Sequence, residues 1–173
     1  MELRERRDED LPGAVQVLQA VHAADGYPSR WPEDPAAWLG PTGQRGAWVV
    51  LGEDGGVLGH VALVDRAPGR GLASDAPVEV VRLFVDPAWR RRGVSRLLLA
   101  AAVDRAAGLG LDVDLQVVAA SAQAVAAYEG LGWREVRRHA AAWTSASGDH
   151  PEVVRMVPPP PGGADRSRGR GPA

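Results

Sequence analysis

The sequence predicts an α/β domain, an α+β mixed sheet with helices on its faces, and three observations lead to it. Segments of strand and helix character follow one another through residues 1–157 in the order β-α-α-β-β-β-α-β-α-β-β. One strand, Val78 to Val85, is nearly all apolar, as a central strand covered on both faces must be. Another alternates cleanly, with Leu111, Val113, Leu115 and Val117 set against Asp112, Asp114 and Gln116. A length of 173 residues with 45% apolar content is that of one domain with a sizeable core.

Each element has a local reason. Glu2 to Arg7 is a short charged strand. Asp10 is placed to cap a helix that carries Pro12 in its first turn and Leu11, Val15, Leu18 and His22 on one stripe. Tyr27 to Pro35 is a loop interrupted by three prolines, and a short helix with Trp38 and Leu39 follows it. Ala47 to Leu51 and Val57 to Val64 flank Gly52-Glu53-Asp54-Gly55-Gly56, a hairpin signal. A loop rich in Gly, Pro and Ala leads to the Val78 strand, and Asp86-Pro87-Ala88-Trp89 turns that strand into a helix from about Arg91 to Ala107, ended by Gly108 and Gly110. Ser121 caps a further helix that stops near Gly130 and Gly132, and Trp133 to Thr144 and Glu152 to Val157 are the last strands. The final sixteen residues, 158–173, open with four prolines, lack an apolar pattern and are expected to be a disordered tail.

Composition removes several chemistries. The chain has no cysteine, so disulfides, thiolate metal sites and cysteine nucleophiles are excluded. All 20 basic residues are arginine, which excludes a Schiff-base lysine and a Walker-type phosphate lysine. A net charge of −2, with a basic tail that leaves residues 1–157 more acidic still, argues against a nucleic-acid surface. No run of about 18 apolar residues is present and the first residues are highly charged, so no membrane span or signal peptide is expected and a cytoplasmic location is the default. No metal site is expected.

The stretch Val80 to Leu99 carries the chemistry: a buried strand, a turn, and an arginine- and glycine-containing loop opening a helix. Gly93 and Ser95 are small enough for a ligand to approach the backbone. The first amides of the helix have no intrahelical partner and the helix dipole adds positive charge. With Arg90, Arg91, Arg92 and Arg96 around them, these groups form a diphosphate cradle that needs no lysine.

This segment resembles the acetyl-CoA-binding signature of GNAT-type N-acetyltransferases, a Gln/Arg-x-x-Gly-x-Gly/Ala loop, here read as Arg90-x-x-Gly93-x-Ser95 with Ser95 in place of Gly or Ala. A second stretch, Ser121 to Trp133, is similar to the family's Asn-x-x-Ala-x-x-x-Tyr-x-x-x-Gly-Phe segment, with Ser121 for Asn and Trp133 for Phe. The element order matches the family over residues 1–157. The resemblance implies the GNAT fold and acetyl-CoA as co-substrate. It implies that the backbone of Leu83, Phe84 and Val85 holds the pantetheine arm, that Arg90 to Arg96, including Val94, holds the diphosphate, and that Ser121 lies near the cofactor. It also implies that Tyr128 protonates the departing thiolate, and it allows a homodimer.

Acetyl transfer needs a deprotonated amine, whose conjugate acid has a pKa of roughly 10. Glu79 is the first candidate base, on the face of the strand that carries Val81, Leu83 and Val85 if the strand is unbroken, where burial would raise its pKa. His60, on a neighbouring strand, is the second, and Asp65 the third. Tyr27, Trp31 and Trp38 are placed to line an acceptor pocket, with Arg30 to attract a carboxylate or phosphate, and the region from Trp143 to His150 flanks it. A compact, proline-fixed aromatic loop favours a small-molecule amine. Acetylation of a protein N-terminus or side chain, and a non-catalytic acyl-CoA sensor of the same fold, stay open at this point.

Overall fold

The computed structural model describes residues 1–66, 76–145 and 147–160. Its elements are β1 (Glu2–Glu5), α1 (Leu11–Asp25), α2 (Pro35–Leu39), β2 (Gln44–Leu51), β3 (Val57–Asp65), β4 (Val78–Val85), α3 (Val94–Gly108), β5 (Val113–Val118), α4 (Ala122–Gly130), β6 (Arg134–Ala140) and β7 (Glu152–Val157). The order is the predicted one. Most of the Gly/Pro/Ala-rich loop before β4 and residues 161–173 of the expected tail lie outside the described residues.

The strands form one seven-stranded sheet in the order β1-β2-β3-β4-β5-β7-β6. Every neighbouring pair is antiparallel except β4 with β5, which is parallel. Two antiparallel halves thus meet along one parallel seam. The β2–β3 hairpin closes as its glycines require, with the Gly52 amide donating to the Gly56 carbonyl at 2.8 Å. A main apolar cluster joins Val50, Val61, Val78, Val80, Leu115 and Met156 of the sheet to Leu98, Leu99, Ala102 and Ala106 of α3. A second joins Ala14, Val17, Leu18 and Val21 of α1 to Leu39 of α2 and Phe84 of β4.

Local differences from the sequence reading have physical causes. The buried row of α1 is Ala14, Val17, Leu18 and Val21, rotated from the expected Leu11–Val15–Leu18–His22 stripe. Small residues bring this helix close to the sheet: a Cβ on Gly13 would meet Val57 Cγ2 at 3.0 Å. Asp10 precedes α1 but makes no side-chain cap bond. Its carboxylate instead accepts from Arg4 Nη1 and Nη2, at 2.8 and 2.7 Å, and from the Arg7 amide at 2.6 Å. Burial works to raise the Asp10 pKa, but these donors outweigh it and hold the carboxyl below the usual range. α3 starts at Val94 rather than Arg91, because Arg91 (φ 60°) and Gly93 (φ 84°) occupy the left-handed region. The strand expected from Trp133 to Thr144 spans only Arg134–Ala140.

Gly59 sets the distance between α3 and the sheet. A Cβ there would meet the Phe84 carbonyl oxygen at 2.9 Å, Val94 Cγ1 at 3.0 Å and Leu98 Cδ1 at 3.1 Å. Because one of these neighbours is backbone and the others are core, none yields cheaply. Gly59→Ala is expected to cost about 1–3 kcal/mol, read as a fall in thermal midpoint on the order of 5 °C. An unchanged thermal midpoint would contradict this role for Gly59.

Candidate active site

The site begins where the sheet stops being continuous. β4 and β5 pair only through Val78↔Val113, Glu79↔Asp114 and Val80↔Leu115. Beyond them β4 continues against β3, and β5 continues against β7. The facing edges of Arg82–Val85 and Gln116–Val118 are therefore not laddered to each other. The β3–β4 register slips at the same level: His60 pairs with Phe84 and Ala62 with Val81, so Arg82 and Leu83 together oppose Val61. This is a β-bulge, and Arg82 sits in it at φ 55°, a conformation that costs an L-residue about 1–2 kcal/mol.

The bulge corrects the face assigned to Glu79. The register places Phe84, rather than Leu83 and Val85, on the face of Glu79 and Val81. Phe84 accordingly packs with α1 and α2, whereas Val85 joins Val78 and Val80 in the main cluster.

Past β4, the Asp86 carboxylate accepts from the Ala88 amide at 2.8 Å and shapes the Pro87–Trp89 turn. Gly93 then takes the N-cap position of α3 with no side-chain cap bond, so no side chain covers the first amides of that helix. A Cβ on Gly93 would meet nothing within 4 Å, leaving φ 84° as the reason for glycine there. The four arginines expected around these amides are not equivalent. Arg91, Arg92 and Arg96 are exposed. Arg92 lies over the Trp89 ring at 4.9 Å. Arg90 is held by Asp25 at the end of α1, in a two-point ion pair whose longer contact is 3.2 Å. The open strand edge, the uncovered amides and the flanking guanidinium groups fit a linear amide-bearing arm ending in a diphosphate.

The three candidate bases meet different fates. Asp65 is half-buried at the end of β3 and paired with Arg45 at 2.7 Å. His60 is 0% exposed, with Nδ1 3.0 Å from the Arg82 carbonyl oxygen and Nε2 2.9 Å from Arg6 Nη1. A carbonyl only accepts and a guanidinium only donates, so Nδ1 carries the proton and the Nε2 lone pair is occupied. Burial, with Arg6 and Arg82 adding to it, pushes the imidazole down to about 3, so His60 stays neutral and has no lone pair to offer an acceptor. Glu79 lies 16% exposed beside the seam with Arg66 Nη1 at 3.3 Å. Its carboxylate faces a guanidinium as well as the protein interior, so burial does not act on it alone.

Arg66 also reaches Asp114, which is 0% exposed, and Arg155 of β7 holds the other Asp114 oxygen. This Glu79–Arg66–Asp114–Arg155 cluster was not legible from the sequence. Strand alternation put Asp114 on a polar face, and its two arginines come from positions 48 and 41 residues away.

Tyr128 of α4 is partly buried, packs on the main cluster and meets Trp133 edge-on at 6.3 Å. Burial and the neighbouring Tyr27 phenol both push its pKa above the ordinary tyrosine value, so it is protonated at neutral pH. Tyr27 is in turn pushed up to about 12 by burial of its hydroxyl end, although the residue as a whole is 37% exposed. Tyr27 packs edge-on to Trp38 at 6.2 Å, and the Arg82 guanidinium lies over Trp38 at 4.5 Å. The bulge, the α1–α2 loop and α4 thus converge. Trp31 does not join them: it packs against His22 of α1 at 5.2 Å, and Arg30 is exposed. The expected single pocket of Tyr27, Trp31 and Trp38 divides into two aromatic pairs. Ser121 stands at the N-cap of α4, but its side chain makes no cap bond, and its carbonyl accepts from the Ala124 and Val125 amides at 2.9 and 3.1 Å. Among the described residues, no group of three or more His, Asp or Glu side chains is arranged to hold a metal ion.

Comparison with known proteins places this arrangement. The model of the acetyltransferase (GNAT) family matches residues 13–133. A Salmonella typhimurium protein named ribosomal protein bS18-alanine N-acetyltransferase is 29% identical over 157 residues, covering 86% of this chain and 91% of that one. Among solved structures, the ribosomal-protein-S18-alanine N-acetyltransferase of Escherichia coli superposes with a TM-score of 0.65 at 21% identity, over 91% of this chain and 92% of its own. Arabidopsis thaliana NAA60 in complex with acetyl-CoA superposes with a TM-score of 0.66 at 20% identity, over 90% and 96%. At such identities the superpositions speak for the fold.

The buried cluster has a measurable weight. Removing the Asp114 carboxylate leaves Arg66 with Glu79 alone and takes from Arg155 the buried carboxylate it is paired with. Asp114→Ala is expected to lower stability by about 3–5 kcal/mol, whereas a surface pair such as Arg45–Asp65 should contribute less than about 1 kcal/mol. Chemical denaturation of Asp114→Ala and Asp65→Ala tests this, and equal losses would refute the ranking.

Proposed function

The chain belongs to the acetyltransferase (GNAT) family, and from that premise we propose that it moves the acetyl group of acetyl-CoA onto the free α-amino end of a polypeptide. The observation that carries the transfer is the break in the β4–β5 ladder beside the Arg82 bulge, next to the Glu79–Asp114 pair. Support for the acceptor comes from the name of the Salmonella relative, which this chain matches over 91% of its length.

Acetyl-CoA supplies a thioester whose carbonyl carbon accepts the amine. The unladdered backbone edge of Leu83–Val85 aligns the arm, and the α3 amides with Arg91, Arg92 and Arg96 hold its diphosphate. Glu79, through a water, takes the proton that the acceptor ammonium must lose before its nitrogen can attack. Arg66 supplies the counter-charge that an ionised carboxylate needs in this setting. As the new C–N bond forms and the C–S bond breaks, the Tyr128 hydroxyl gives its proton to the leaving sulfur. A phenol with a raised pKa is held in the protonated form this step requires. A second reading, a small-molecule amine, is favoured by one feature, the close group of Tyr27, Trp38 and Arg82 at the acceptor side, which narrows the approach.

Both readings meet one experiment. Release of coenzyme A thiol is followed while the protein is offered short peptides with free α-amines, the same peptides blocked at that amine, and a panel of amino acids and polyamines. The chain has no cysteine to add background. Turnover confined to free peptides is expected. Turnover confined to the small amines would overturn the polypeptide reading. With a productive acceptor, Tyr128→Phe and Glu79→Gln are each expected to lower kcat by about 10²-fold or more, with coenzyme A affinity unchanged. Unaltered turnover in both variants would remove these two residues from the mechanism.

A further inference from the structure

The geometry points to His60 as a positioning residue for acetyl transfer, one that locks the β4 bulge through its Nδ1–H bond to the Arg82 carbonyl and ties that bulge to the acceptor-side helix α2. This deepens the reading in which the Leu83–Val85 backbone aligns the thioester, and it rests on that reading.

A bulge with a non-glycine residue at φ 55° is not its own lowest-energy conformation and needs an external constraint. His60 supplies it from three directions. Its Nδ1 donates to the Arg82 carbonyl at 3.0 Å, fixing the peptide plane that leads directly into Leu83. Its ring stacks on Phe84 with centroids 5.2 Å apart and planes 19° apart, fixing the residue on the other side of Leu83. Its Nε2 accepts from Arg6 Nη1, and the same Nη1 donates to the carbonyl of Leu39, the last residue of α2, at 2.6 Å. The backbone on both sides of Leu83 is therefore referred to one buried ring. That ring is in turn referred to the helix holding Trp38, over which the Arg82 guanidinium lies. Because the two nitrogens have partners of fixed and opposite polarity, the imidazole neither turns over nor changes tautomer.

The two nitrogen contacts separate by mutation. Asparagine at this position places its amide near the site of Nδ1 and keeps the bond to Arg82. Glutamine reaches the site of Nε2 and keeps the bond to Arg6. Phenylalanine keeps the stacking and neither bond. His60→Phe is expected to lower kcat about tenfold or more, while the dissociation constant of coenzyme A changes less than about threefold. His60→Asn is expected to recover most of kcat, and His60→Gln is not. If His60→Phe does not fold, the Asn and Gln variants decide the matter between them. A His60→Phe enzyme with wild-type kcat, a Gln variant as active as the Asn variant, or losses of kcat that merely follow the folded fraction would each overturn the proposal. Backbone amide resonances of Leu83, Phe84 and Val85 in the wild-type protein test the underlying reading separately. Coenzyme A should shift them, and if it does not, the alignment of the thioester by β4 fails whatever the His60 variants do.

Discussion

The parallel seam between β4 and β5 is the constraint on which the rest of the molecule depends. Each half of the sheet is an antiparallel set with its own ladder, and the halves share only three residue pairs before they part. The middle pair is Glu79 with Asp114, and the buried ionic cluster crosses the sheet at that point. Arg66 leaves the end of β3 to reach both carboxylates, and Arg155 reaches Asp114 from β7. Four strands are thereby tied together beside the place where the ladder ends. The charges do there what further ladder bonds would do in an unbroken sheet. Below the gap the halves are fixed, while above it the edges of β4 and β5 keep hydrogen-bonding capacity for a third, extended partner.

Much of this was legible in the sequence, because it depends on local pattern. The order of elements and the bounds of β4 and β7 follow from apolar runs and turn residues. What was not legible depends on partners distant in the chain. Alternation assigns Asp114 to a polar face, but cannot distinguish water from two arginines brought by other strands. Asp10 and Ser121 occupy cap positions whose side chains do not cap; Asp10 is taken by Arg4 and the Arg7 amide instead. Glu79 was assigned its face on the assumption of a straight strand. A single extra residue in the bulge changes the company of everything after it, bringing Phe84 to the side of Glu79 and sending Val85 away.

The acceptor side shows the same limit on reading a loop by composition. Three aromatic residues between Tyr27 and Trp38 suggest one pocket, but the chain spends them on two tasks. Trp31 packs on His22 and anchors the loop to α1. Tyr27 and Trp38 turn toward Arg82 and Tyr128. The second group joins Arg82 of the bulge, Tyr128 of α4 and the segment from Tyr27 to Trp38, so a change in any one is felt at the other two.

The chain uses no lysine, so arginine does all that this molecule asks of its basic residues. Most of the work needs a planar group with several donors. Arg66 serves two carboxylates at once, Arg6 a carbonyl and an imidazole, and Arg4 both oxygens of Asp10. Arg82 and Arg92 lie over indole rings. An ammonium carries its three donors on one nitrogen and lacks the planar fork that spans two separated partners or lies flat on a ring. Arg90 carries the argument furthest toward function. It stands at the head of the loop that opens α3, and its guanidinium is paired with Asp25, the last residue of α1 and two residues from Tyr27. The loop that opens α3 and the end of α1 that leads into the α1–α2 loop therefore share one ion pair, and under the proposed function the charge of a bound diphosphate would act on both.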